Sequence, residues 1–403
     1  MRIGIVCDEY PPGPHGGLGT CARVLGRAFV ERGHEVRVIG SYPAGYGGAD
    51  HETDGGVRVW RLREPAHRLG WIQARAAVFR RIAAWARTGE IDVVEVADWR
   101  GPAALWPKLP VPVIVRMNGS MAFFASELGR PIAGTGLWLE RASLRRADAW
   151  CAASRYTADR TAALFGLDRP PATVLYNPVE PPAEVPDPGI RSDCDVVFTG
   201  TLTAKKGVVS LIRAWRDVLS AVPQARLHLF GKDSATDDAP SMRALLLAEL
   251  TGPGEAASVS FHGHVHRERL FEALRAARAA VFPSYAEAFG IAPFEAMARG
   301  CPTIYTSRQP GPELVRDQED ALLVDPDSPP QIAAAIVRLL TAREFAEALG
   351  HRGKRRVLTT FTSAVMVPRN LEFFNTVIEE FGQARRRAKD SATQRPAQAA
   401  SLR

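Results

Sequence analysis

Short β-branched runs alternate with longer stretches of helical periodicity through most of this 403-residue chain. In the first half, strands are expected near 2–7, 35–40, 57–60, 91–96, 112–116, 149–153 and 173–176, with helices near 18–32, 70–87, 136–146 and 155–165. Such alternation needs a helical crossover between successive strands, so the strands lie parallel and helices cover both faces of the sheet. The rhythm breaks at Asn177-Pro178-Val179-Glu180-Pro181-Pro182 and on through Pro186 and Pro188, where fixed φ and missing amide donors exclude either regular element. It restarts at Asp195-Val196-Val197-Phe198-Thr199-Gly200, with further strands near 226–230, 258–262, 279–283, 302–306 and 321–324. The pattern predicts an α/β chain of two tandem, Rossmann-like doubly wound domains facing across a cleft. The boundaries are 1–180, a linker 181–192, 193–365, a C-terminal helix 366–386 that can pack back on the first domain, and a disordered basic tail 387–403.

Composition narrows the function classes. Net charge is +7, but the residues from Arg385 onward hold six basic groups against one acid, leaving only +2 on the preceding 384. The basic balance therefore belongs to the tail, and no nucleic-acid partner is expected. Cys7, Cys21, Cys151, Cys194 and Cys301 stand singly, with no CxxC pair and no histidine at metal spacing, which suits a reducing cytosol. No apolar run approaches the ~20 residues of a spanning helix, and Met1 leads straight into Ile3-Gly4-Ile5-Val6 without a signal-peptide core. A cytoplasmic protein, soluble or peripheral at the inner face of the membrane, is expected.

Open parallel sheets bind ligands beyond the carboxyl ends of their strands, so the strand-to-helix loops are where chemistry belongs. The first, Pro11-Pro12-Gly13-Pro14-His15-Gly16-Gly17-Leu18-Gly19, lets backbone amides approach a ligand at a helix N-terminus. It is not a dinucleotide fingerprint: Ala22 stands where a third glycine is needed, and strand two ends in Ile39-Gly40-Ser41 without a ribose-gripping acid. Its bland reading is a tight turn. The second, Gly200-Thr201-Leu202-Thr203-Ala204-Lys205-Lys206-Gly207, places Lys206 where a helix begins, so its ammonium can meet an anion together with free amides; most lysines, however, are merely solvated. The third joins strand Ala280-Val281-Phe282-Pro283 to helix Ile291–Gly300 and carries Glu287 in the loop and Glu295 in the helix, seven residues intervening. That spacing can put one carboxylate on sugar hydroxyls and the other on a ribose diol, with the amides of Gly290 and Ile291 facing a diphosphate between them; alternatively Glu295 is an ordinary acid favoured near a helix N-terminus. A fourth loop, Thr306 to Leu314, walls the same cleft.

From Phe282 to Asp325 the chain reads Pro283-Ser284, Glu287-x7-Glu295, Ala296-Met297-Ala298, Gly300-Cys301-Pro302, Gly311-Pro312-Glu313 and Leu322-Leu323-Val324-Asp325-Pro326, and this run resembles glycosyltransferase family 4. Gly16-Gly17, Lys206-Gly207, Gly231 and Asn177-Pro178 fall where that family has counterparts, so the resemblance covers nearly all of residues 1–380. It implies a GT-B fold, a nucleotide-sugar donor held mainly by the second domain, an acceptor facing the first, and transfer with retention. By the same resemblance, Glu287 and Phe289-Gly290 contact the sugar and phosphates, Glu295 the ribose, Lys206 the diphosphate, and the His264-Val265 backbone the base, while Gly16-Gly17 approaches the donor phosphates from across the cleft. Thr201 stands where many members carry arginine, which shifts diphosphate stabilisation to Lys206 with help from Lys205. Asn118 stands where many have histidine, and Asp98 occupies another such loop; either can hydrogen-bond a sugar hydroxyl, and neither supplies an imidazole.

No activated nucleophile is evident, so front-face displacement is expected, with a donor phosphate oxygen taking the acceptor's proton. No metal or other cofactor is expected. Asp193-Cys194-Asp195 matches Asp-x-Asp but sits at the entrance of a strand, the wrong end for a site. The stretch Arg68 to Arg87 is read first as a helix packed on its own sheet, and second as a basic amphipathic helix lying on an anionic membrane, which would suit a lipid-linked acceptor. The resulting expectation is a retaining glycosyltransferase of glycan biosynthesis moving sugar from UDP or GDP to a glycan, lipid-linked saccharide or small molecule. Its rivals are a catalytically silent nucleotide-sugar binding subunit and a GT-B epimerase or phosphorylase.

Overall fold

The computed structural model describes residues 1–13, 15–169, 171, 173–180, 191–235 and 241–400, with residue 389 and residues 391–400 described by backbone alone. Among them the first domain carries β1 (Arg2–Val6), α1 (Gly17–Glu31), β2 (Glu35–Tyr42), β3 (His51–Asp54), β4 (Val57–Arg63), α2 (Gly70–Thr88), β5 (Val93–Ala97), β6 (Val113–Met117), α3 (Met121–Glu127), α4 (Thr135–Arg146), β7 (Ala149–Ala152), α5 (Arg155–Phe165) and β8 (Thr173–Val174). The strands form one sheet in the order β3-β4-β2-β1-β5-β6-β7-β8, parallel throughout except where β3 pairs antiparallel with β4. Alternate residues serve opposite faces. Val94, Val96, Val113 and Val115 pack under α2 and α4, while Ile3, Ile5, Val93 and Ile114 pack under α1.

The second domain carries β9 (Asp195–Thr199), a 3-10 turn (Ala204–Lys206), α6 (Val208–Ala221), β10 (Arg226–Phe230), α7 (Met242–Glu249), α8 (Glu255–Ser258), β11 (Val259–Gly263), α9 (Arg267–Ala276), β12 (Ala279–Phe282), α10 (Ile291–Ala298), β13 (Thr303–Thr306), α11 (Gly311–Leu314), β14 (Leu322–Val324), α12 (Pro329–Thr341) and α13 (Arg343–Thr360). Its sheet is parallel in the order β11-β10-β9-β12-β13-β14. Val196 and Phe198 face α6 and α12; Val197 faces the opposite side with α9, α10 and α13. The expected pair of doubly wound α/β domains is the fold.

Two details differ from expectation. The antiparallel ribbon of β3 and β4 was not anticipated, because His51-Glu52-Thr53-Asp54 is a polar run whose side chains lie at a sheet edge. The last helix, α14 (Ser363–Ala400), begins earlier than expected and continues through residues expected to be a disordered tail. Arg385, Arg386, Arg387 and Ala388 are good helix formers, and Arg385 is anchored: its Nη1 donates to the Pro110 carbonyl at 2.6 Å and its guanidinium lies over Phe381. Residues 401–403 and most of the expected linker, 181–190, lie outside the described residues.

α14 belongs to the first domain's core. Met366, Val367, Phe373, Phe374 and Val377 join the layer beneath α1, with Phe374 5.9 Å from Phe29, ring to ring. Inside the sheet, Arg116 on β6 forms a bidentate pair with Glu95 on β5, at 2.9 and 2.7 Å, and donates to Asn370 Oδ1 of α14 at 2.5 Å. The chain therefore crosses between domains twice. The crossings run side by side, with the Val179 amide donating to the Phe361 carbonyl at 2.8 Å.

Candidate active site

Each sheet reverses its winding at one point, and the crevice there opens beyond the carboxyl ends of the strands. In the first sheet β1 is that point, flanked by β2 and β5; in the second it is β9, flanked by β10 and β12. Chain order thus fixes which loops meet. The loop after β1 carries Gly16 and Gly17, the loop after β5 carries Asp98, the loop after β9 carries Lys206, and the loop after β12 carries Glu287.

At the second domain's reversal, Lys206 Nζ lies 2.7 Å from Glu287 Oε1. Gly207 closes the turn that bears Lys206 with φ of +72°, and a Cβ there would come within 1.8 Å of the Pro283 carbonyl. No other residue allows the turn to seat this close to β12. Burial raises the Glu287 carboxyl, but the charges of Lys206 and Lys205 outweigh it and hold the group below its ordinary value. Gly290 precedes α10 with φ of +79°, where a Cβ would sit 2.8 Å from Tyr305 Oη, and that hydroxyl donates to the Phe289 carbonyl at 2.9 Å. The start of α10 is thereby fixed with Ile291 facing the cleft. Across it, a Cβ on Gly17 would lie 3.7 Å from Ile291 Cδ1, so the N-termini of α1 and α10 oppose one another and both partial positive charges converge.

The remaining donor-side residues line neighbouring strand ends. Gly231 is pressed on Gly200, where a Cβ would come 1.8 Å from the Gly200 carbonyl, and its amide donates to the Gly263 carbonyl at 2.8 Å. Thr201 is exposed beyond Gly200, while His264, exposed, and Val265, half-buried, follow Gly263. Glu295 is buried in α10, and Oε1 accepts from Arg267 at 2.7 Å; the same guanidinium reaches Glu180 at 2.9 Å. Arg267 and Arg299 both lie over the Phe271 ring, and burial depresses the Arg299 guanidinium to about 10. Asp195 of the Asp-x-Asp run meets His228 Nε2 at 3.4 Å at the far end of β9. Among the described residues no group of three histidine, cysteine or acidic side chains is placed to hold a metal ion.

On the first-domain side, the Asn118 amide donates to Asp98 Oδ1 at 2.9 Å. Asp98 Oδ2 and Asn118 Oδ1 are both buried without a protein partner. Burial, followed by the charge of Glu140, pushes the Asp98 carboxyl up to about 7 against the amides of Asn118 and Gly119. A Cβ on Gly119 would come 3.1 Å from Ala288 Cβ, so this loop touches the one that bears Glu287. Two unmet acceptors therefore sit beside a carboxylate-ammonium pair, an arrangement suited to receiving hydroxyl donors.

The structure also supplies partners that local sequence could not reveal. Glu9 accepts from the Gly19 amide at 2.9 Å and so occupies the first turn of α1. Lys205, expected near the diphosphate, has its ammonium 3.7 Å from the centre of the Phe124 ring of the first domain, and burial lowers it to about 8. Glu313, expected to wall the cleft, instead accepts from the amides of Arg155 and Tyr156 at 2.7 and 2.9 Å, capping α5 of the other domain. Ser154 and Thr157 donate to the Ala288 carbonyl at 2.7 and 3.0 Å. Glu313, Lys205, Gly19 and Ala288 lay within motifs noticed in the sequence; Glu9, Phe124, Ser154 and Thr157 carry no pattern of their own.

Comparison with known proteins assigns both halves. Residues 16–178 match a model described as a glycosyl transferase 4-like domain, and residues 193–342 match one described as glycosyl transferases group 1. An uncharacterized glycosyltransferase of Methanocaldococcus jannaschii is 26% identical over 407 residues, covering 95% of this chain and all of that one. A GDP-mannose-dependent alpha-(1-6)-phosphatidylinositol monomannoside mannosyltransferase of Mycobacterium tuberculosis is 28% identical, covering 88% of this chain and 93% of that one. Among solved structures, an Anabaena protein, HepE, in complex with UDP and glucose has a TM-score of 0.71 at 18% identity, covering 93% of this chain and 100% of that one.

Proposed function

We propose, because the chain belongs to the family 4 type of GT-B glycosyltransferases, that it moves a sugar with retention from a UDP- or GDP-sugar to a saccharide, lipid-linked saccharide or small-molecule acceptor. The observation that carries this reading is the meeting of Lys206, Glu287 and the opposed first turns of α1 and α10 at the two winding reversals. The relatives support the choice of donor: one is named for GDP-mannose, and one structure was solved with UDP and glucose.

In this reading the diphosphate lies between the two helix N-termini with Lys206 on its β-phosphate, and Glu287 holds Lys206 in place while accepting from a donor-sugar hydroxyl. Glu295, oriented by Arg267, takes the ribose diol, and the His264-Val265 backbone takes the base. Asp98 and Asn118 receive acceptor hydroxyls. The bond from the anomeric carbon to the phosphate oxygen breaks as the bond to the acceptor oxygen forms on the same face. The acceptor's proton passes to the departing phosphate oxygen, leaving the glycoside and the nucleoside diphosphate. Lys206 and the helix amides stabilise the negative charge that develops on the leaving group, so no divalent ion is needed.

A thermal-shift panel of UDP- and GDP-sugars tests the donor. A ligand at 100 times its dissociation constant raises stability by about 2.7 kcal/mol. Anomeric proton couplings of the product test retention, and a covalent sugar trapped on Glu287 would refute front-face displacement.

A further inference from the structure

The large apolar side chains that stand exposed are concentrated in one place. Of nine among the described residues, seven lie between Leu69 and Trp138 of the first domain, the other two being Leu247 and Leu358. Leu69, Trp71 and Ile72 precede and open α2, Trp99 follows β5, Met121 follows β6, and Trp138 lies on α4. Leu69, Trp71, Ile72, Trp99 and Met121 therefore follow the carboxyl ends of strands, on the first-domain rim of the cleft. Leu105, 73% exposed, lies in the segment between α2 and α4. That segment is continuous with both helices: Arg75 of α2 donates to the Arg100 and Gly101 carbonyls, and the Ala103 amide donates to Ser143 Oγ of α4 at 3.2 Å. The inner end of the rim reaches the site, since Trp99 packs 6.3 Å from Phe124, the ring beneath Lys205.

The charge around this face has one sign. Residues 65–89 contain five arginines and no carboxylate, and residues 99–126 add the exposed Arg100 and Lys108 and no carboxylate, Arg116 being buried against Glu95. Arg80, Arg81 and Arg87 are exposed on α2, and Arg141 and Arg145 on α4 beside Trp138. Tryptophan and leucine projecting from an arginine field match the interface of an anionic bilayer, where apolar groups enter the acyl boundary and cations meet lipid phosphates. Among the described residues no helix is long and apolar enough to cross a membrane, so contact of this kind is interfacial.

We propose that this face docks on an anionic lipid bilayer and thereby presents the acceptor side of the cleft to a saccharide anchored in that bilayer. The presentation of an acceptor rests on the function proposed above; the docking does not.

Full-length protein is sedimented with vesicles of phosphatidylcholine alone and with vesicles that also contain phosphatidylglycerol. Binding is expected to the second only, with a blue shift of tryptophan emission and loss as salt rises. Arg80→Gln with Arg81→Gln is expected to weaken partitioning roughly thirtyfold, and Trp71→Ser with Ile72→Ser and Leu105→Ser to abolish the blue shift. Failure of the wild type to sediment with phosphatidylglycerol vesicles, or indifference of binding to both variants, would overturn the proposal. So would a dimer seen by light scattering that the Trp71, Ile72 and Leu105 substitutions dissociate, since the face would then cover a second copy. Thermal shift with UDP- and GDP-sugars, run on the same samples, is expected to be unchanged in both variants. A wild type that binds vesicles and no nucleotide-sugar would sink the function while leaving the docking intact.

Discussion

On the second-domain side of the cleft, Lys206 is paired with Glu287 and Glu295 with Arg267 before any ligand arrives, whereas on the first-domain side Asp98 and Asn118 each keep a buried oxygen that no protein group meets. Both sides are built from the same kind of winding reversal, so the contrast does not come from the fold. It follows from what each side has to recognise under the proposed function. A diphosphate and a ribose are constant features of a donor and reward charges fixed in advance, because prior fixing removes reorganisation during reaction. An acceptor hydroxyl is neutral and brings its own proton, and an unmet acceptor is the group that welcomes it.

The largest expected effect tests whether paired charge in the first domain is structural. Arg116→Ala would leave Glu95 buried without its partner and free Asn370, and is expected to cost about 3–5 kcal/mol in chemical denaturation. A loss confined to a few tenths would mean that α14 is held by its apolar face alone. Next comes the donor side: Lys206→Ala is expected to lower kcat by about two to three powers of ten, roughly 3–4 kcal/mol, and Lys206→Arg to restore part of it. Steady-state kinetics with kcat unchanged would break the contrast outright.

Asp98 sharpens the contrast through pH. Its folded carboxyl is raised to about 7, so between its ordinary value near 3.8 and that point the folded chain binds more protons than the unfolded one. Stability from this group is therefore present at low pH and falls as pH rises through that window. Asp98→Asn is expected to flatten that part of the profile, an effect on the order of 4 kcal/mol, read from urea midpoints across the window. The smallest change is Phe124→Leu, which removes the ring under Lys205 and is expected to cost about 1 kcal/mol. Burial lowers the Lys205 ammonium while the ring beneath it favours the charged form, so its titration, followed by NMR, is expected to move no higher in the variant, and a return toward an ordinary lysine value would break this account.

The alternation of strands and helices and the loops that meet at the cleft were legible, because a parallel sheet gathers its strand-to-helix loops at one edge and Gly207 and Gly290 mark where backbone must approach backbone. What was not legible involves partners remote in sequence. The Asp98 and Asn118 loops looked like separate candidates; their hydrogen bond follows from β5 lying beside β6. Arg267 carried no motif, yet it orients Glu295 from another helix. The tail's arginines and alanines were weighed as charge and low complexity, yet they are equally good helix formers, and α14 runs on to Ala400.

Sequence by itself determined two α/β domains, the proline-rich break between them and the residue types at each strand end, since periodicity and steric restriction act within a few residues. Tertiary structure alone decided that Lys206 meets Glu287, that α14 returns to close the first domain over a buried arginine, and that Glu313 caps a helix of the opposite domain. Those outcomes depend on distances between segments far apart along the chain, which only the packing of one sheet against its helices, and of one domain against the other, can set.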